Sequence, residues 1–104
     1  MIRIHILKKK DNIESIIFEG HALYDNYGKD IICASVSSIY FCTINAIYAL
    51  NEKSIIVTSE KEKQMIKVKI KDNIIQTLLQ NMINCLESLE KQYPKNIKLD
   101  KEEE

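Results

Sequence analysis

The chain has 104 residues, room for one domain and not two, and a composition of 45% hydrophobic and 29% charged residues with two Gly and one Pro speaks against disorder. Fifteen Lys+Arg balance fifteen Asp+Glu, so no net field draws the protein to nucleic acid or to a membrane surface. Three cysteines, an odd number without close spacing, argue against a secreted disulfide framework and for a reducing cytosol.

The N-terminal stretch mixes charge with apolar side chains and has no continuous apolar segment of the signal-peptide kind. No uninterrupted apolar run nears the ~18 residues of a membrane helix. A soluble, cytoplasmic protein is expected.

Ile2, Ile4 and Ile6 alternate with Arg3, His5 and Leu7, the period of a strand with one buried face. The polar run from Lys8 to Asn12 reads as a turn, and its lysines as a solvated hairpin end rather than a nucleic-acid contact. Asn12 to Glu19 predicts a second strand, antiparallel to the first, with Ile13, Ser15, Ile17 and Glu19 on one face and Glu14, Ile16 and Phe18 on the other. Gly20 ends it, and residues 20–29 read as a loop.

Asp30 predicts an N-cap for a helix from Ile31 to Leu50, with Ile32, Val36, Ile39, Thr43, Ile47 and Leu50 at helical spacing. A second stripe, Tyr40, Phe41, Ile44 and Tyr48, makes this helix either central or part of a subunit interface. A homodimer follows from the second case. Ser54 to Ser59 and Met65 to Ile70 predict two more strands about a charged turn from Glu60 to Gln64. Asp72 or Asn73 caps a second helix with the stripe Ile74, Ile75, Leu78, Leu79, Met82, Ile83, Leu86 and Leu89, ended near Tyr93 by Pro94. Ile97 to Leu99 adds a short edge strand, and Lys101 to Glu104 is expected to fray. The fold class is α+β: a mainly antiparallel sheet with two helices, in the order strand, strand, helix, strand, strand, helix, strand.

Reactive side chains concentrate between Gly20 and Ser37. With Asp30 as cap, Cys33 is the third helical residue, where unpaired N–H groups and the helix dipole favour a thiolate and stand ready for an oxyanion. His21 is the available general base, across a loop able to fold back. The competing reading makes Cys33 a small core residue and His21 a turn residue. Asp30 serves as the cap or as a third member orienting His21, and Ser37, one turn past Cys33, bonds near the thiolate or back to the Cys33 carbonyl. Leu23, Tyr24 and Tyr27 give the loop an apolar side that lines a peptide groove or pins the loop to the sheet. Cys42 points away from Cys33, and Cys85 reads as packing. No spacing suggests a metal site or a phosphate loop, and no cofactor is called for.

The sequence GHA, a short loop ending in YGKDI, and then CASVS from Cys33 to Ser37 resemble the ribosomal processing cysteine protease Prp family. The resemblance implies a cysteine endopeptidase that removes an N-terminal extension from a protein of the large ribosomal subunit. It implies Cys33 as nucleophile and His21 as base, with Asp30 and Ser37 in support. Gly20, Leu23, Tyr24, Tyr27 and Gly28 would then form the substrate-binding loop, expected to order on peptide. Where many members carry a second glycine, this chain has Leu23, which costs the loop freedom. The alternative is a non-catalytic, ribosome-associated dimerisation module in which Cys33 is structural.

Overall fold

The computed structural model describes residues 1–23, 25 and 30–104. Seven elements follow one another: β1 (Ile2–Lys9), β2 (Asn12–Glu19), α1 (Ile31–Asn51), β3 (Ile55–Glu60), β4 (Lys63–Val68), α2 (Asn73–Gln92) and β5 (Ile97–Glu103). The five strands form one sheet in the order β3-β4-β2-β1-β5, antiparallel except where β5 runs parallel to β1. The expected order of elements and the expected α+β class are both present.

Alternation builds the core. Ile4, Ile6, Ile16, Ile66 and Ile97 face inward from neighbouring strands, and α1 and α2 pack on that face and on each other. Phe18 of β2 meets Tyr40 of α1 edge-on, ring centroids 5.1 Å apart. The β1–β2 hairpin turns at Lys10 and Asp11, both at positive φ, the conformation a two-residue turn needs to follow strand twist.

The faces of β2 differ from simple alternation. Ile13 is buried together with Ile16 and Phe18, because the register slips between Leu7 and Lys8 and places Glu14 as an extra residue. The backbone around this bulge is satisfied from α2: Gln76 accepts from Ile13 N at 2.7 Å and donates to Ile13 O at 3.0 Å. The second hairpin is tighter than the sequence suggested, since β3 and β4 leave only Lys61 and Glu62 as turn residues.

Helix α1 buries Ile32, Val36, Tyr40, Ile44 and Ile47. Tyr40 and Ile44, assigned to a second stripe, therefore belong to the core, while Leu50, Phe41 and Tyr48 remain exposed. Contrary to the reading of its sequence, α1 is long and apolar enough to cross a membrane by length and composition alone, because its scattered Ser, Thr and Asn do not offset the rest. Here its buried face completes the domain core.

The C-terminal end does not fray as expected. Residues 101–103 extend β5 along β1, Glu104 N donates to Lys8 O at 2.9 Å, and His5 of β1 contacts the carboxylates of Asp100 and Glu102. Pairing with a long partner strand supplies the backbone partners that a free acidic tail would lack.

Candidate active site

A cavity of about 320 Å³ opens where β2 ends, α1 begins and the β3–β4 turn folds over. Its floor is apolar, from Phe18, Val36 and Tyr40, with Phe41 also in its wall. His21, Cys33, Ser37 and Glu62 add the polar groups. His21 and Cys33, predicted as a pair, thus line one cavity across eleven intervening residues.

Asp30 is the N-cap of α1. Its Oδ1 accepts from Ile32 N and Cys33 N, each at 3.0 Å, and its Oδ2 accepts from Asp25 N at 3.4 Å. The carbonyl of Asp30 takes Ala34 N at 3.1 Å. These bonds narrow one expectation: of the N–H groups at the helix start, those of Ile32, Cys33 and Ala34 already have partners in Asp30. The donor that meets the sulfur comes from the other side of the cavity, Ala22 N to Cys33 Sγ at 3.4 Å. Ala22 is itself held, since Asn96 Nδ2 donates to its carbonyl at 2.8 Å and its side chain is buried.

Gly20 makes the approach of His21 possible. Its φ of +88° is left-handed, and a Cβ there would stand 2.4 Å from Met1 O. Leu23 also has a left-handed φ, 56°, the region where glycine sits without steric cost, and its side chain is exposed. Tyr24, Tyr27 and Gly28 of the expected substrate loop lie outside the described residues.

Ser37 is exposed in the cavity wall one turn beyond Cys33, and it is Ser35 that bonds back along the helix, to Ile31 O at 2.7 Å. Cys33 is half-buried against the core, whereas Cys42 and Cys85 are exposed. The packing role expected of Cys85 is thereby corrected: it sits on α2 beyond the edge of the stripe that Met82, Ile83 and Leu86 bury.

Sequence reasoning missed Glu62. Its Oε1 lies 3.0 Å from His21 Nε2, and its carbonyl accepts from Gly20 N at 3.2 Å. The signal was register: Glu19 pairs with Lys63, so the next step of an antiparallel ladder sets Gly20 beside Glu62. No hydrogen bond joins His21 to Cys33 among the described residues, and none of their His, Cys, Asp and Glu side chains gather in a metal-binding group.

A family model described as cysteine protease Prp matches residues 1–98. The chain is 29% identical to the Ribosomal processing cysteine protease Prp of Staphylococcus aureus (strain Mu50), over 96% of this chain and 98% of that one. It is 25% identical to the protein of the same name from Bacillus subtilis (strain 168), over 95% and 96% respectively. The crystal structure of an essential ribosomal processing protease Prp from S. aureus, in complex with a covalently linked product peptide, is similar with a TM-score of 0.93 at 28% identity, covering 98% of this chain and 100% of that one. The family match across nearly the whole chain and the same fold around a cavity holding a cysteine and a histidine agree: this chain belongs to the Prp family of cysteine proteases.

Proposed function

We propose that this protease removes an N-terminal extension from a protein of the large ribosomal subunit, with Cys33 as nucleophile and His21 as general base. The observation that carries the assignment is the cavity that His21 and Cys33 share, in which the Ala22 N–H already points at Cys33 Sγ. That donor holds the sulfur in place from the His21 side of the chain. The thiolate attacks the scissile carbonyl, and the proton taken by His21 passes to the leaving amine. Support for a peptide substrate comes from the S. aureus relatives, whose structures hold substrate and product peptides, and support for a ribosomal one from the relatives' names. A purely structural Cys33, as in a dimerisation module, is not favoured by these findings.

The test is incubation with the precursor of the organism's own ribosomal protein, read by mass spectrometry. Cleavage by the native chain and none by Cys33→Ala is the expected result; wild-type turnover by Cys33→Ala overturns the assignment. Because Phe41 and Tyr48, two turns apart, leave an apolar strip of α1 exposed, we further propose that the protease works as a homodimer; its free cysteines are the ground for proposing the cytoplasm.

A further inference from the structure

The proposed chemistry needs an imidazole that presents one particular nitrogen to the thiol, and nothing in the His21–Cys33 pair itself selects it. We propose that Glu62 is a positioning residue for His21, an inference that rests on the reading of His21 as the general base. Glu62 Oε1 lies 3.0 Å from Nε2. A carboxylate only accepts, so it favours the tautomer with the proton on Nε2 and leaves the lone pair on Nδ1 as the proton acceptor. The same carboxylate stabilises the imidazolium that forms when Nδ1 takes the Cys33 proton. In that step the S–H bond breaks and an Nδ1–H bond forms. As the peptide C–N bond breaks, the Nδ1 proton passes to the leaving amine.

Three features make the contact more than a surface ion pair. The Gly20 N to Glu62 O bond fixes the turn to the strand end that carries His21. The turn has only two residues, one of them Lys61 at a left-handed φ of 44°, so Glu62 has little freedom. Finally, Glu62 and His21 both line the cavity, where a bound peptide would exclude the water that now screens them. The charged residues that line a neighbouring cavity with Glu62 are Met1 at the N-terminus, Arg3 from β1, Glu19 from β2, and Glu60, Lys61 and Lys63 from the hairpin itself.

The experiment compares the native chain with Glu62→Ala, Glu62→Gln and, as a charge control in the same hairpin, Glu60→Gln. Three quantities are measured against pH: kcat and KM on a peptide spanning the cleavage site, and the rate of Cys33 alkylation by iodoacetamide. Glu62→Ala is expected to lower kcat roughly tenfold with little change in KM, below the ~10²–10⁴ that general acid–base catalysis supplies altogether. Its alkylation profile should shift along the pH axis. Glu62→Gln keeps an acceptor oxygen and should recover part of kcat, and Glu60→Gln should match the native chain. Unchanged kcat and an unchanged alkylation profile in Glu62→Ala overturn the proposal, and so does a rise in kcat, which would make the contact a restraint on His21. Full activity in Cys33→Ala would instead defeat the protease assignment to these residues, while the alkylation profiles would still report on Glu62.

Discussion

Tyr40 packs its ring edge-on against Phe18 and Phe41, yet its hydroxyl is buried and has no partner among the described residues. An unsatisfied buried hydroxyl costs free energy, so Tyr40→Phe should stabilise the protein by about 1 kcal/mol in chemical denaturation. Burial, and secondarily the charge that Tyr48 acquires, push the Tyr40 phenol above its ordinary value of 10.0. The folded state thus holds this proton more tightly than the unfolded one. Stability linked to it is present below the unfolded value and is lost as pH rises through the folded value. Melting curves from about pH 9 to about pH 11 should therefore fall more steeply for the native chain than for Tyr40→Phe. Gly20 gives the opposite kind of prediction. Gly20→Ala places a Cβ against the Met1 carbonyl in a left-handed backbone, and should destabilise by more than about 1 kcal/mol. Because Cys42 and Cys85 are exposed, alanine at either should alter stability by no more than about 0.5 kcal/mol, with cleavage unaffected.

The two helices begin alike: Asp30 and Asp72 each accept from two backbone N–H groups at the start of their helix. Alanine at either should cost about 1 kcal/mol in thermal or urea unfolding. Only Asp30→Ala should also reduce cleavage, because the turn it caps carries Cys33. The Asp30 cap and most of the α2 stripe were readable from sequence because a helix writes its buried face at a fixed period and a short polar residue at its start; Ile74, expected in that stripe, is exposed, and of Asp72 and Asn73 it is Asp72 that caps. The face of α1 was read only in part, since a helix apolar on many sides offers several candidate stripes and tertiary packing chooses among them; it chose Tyr40 and Ile44 over Leu50. The bulge at Glu14 left no mark in composition, and it reversed which residues of β2 share a face with Ile13. For the same reason Glu62 was invisible. His21, Cys33 and Asp30 stand close in the chain, whereas Glu62 reaches them through strand register, which a single sequence does not display.

Across the whole molecule, the exposed apolar strip of α1 makes self-association measurable. Sedimentation at micromolar protein should show a dimer, and Tyr48→Asp, outside the cavity, should shift it toward monomer; Ile44 is unsuitable for this test because it is buried. Removal of residues 101–104 should lower thermal stability by shortening the β1–β5 ladder, while Ile97 and Leu99 keep their places in the core. The last strand has a further consequence in time. β5 lies beside β1, and Asn96, just ahead of it, holds the carbonyl of the residue whose N–H meets the Cys33 sulfur. During synthesis the chain emerges with its first strand lacking one neighbour, and both helices are made before Asn96 exists. A nascent chain already carrying His21, Cys33 and Glu62 still lacks the clamp on Ala22, so the site is completed only once Asn96 has been made and has joined it.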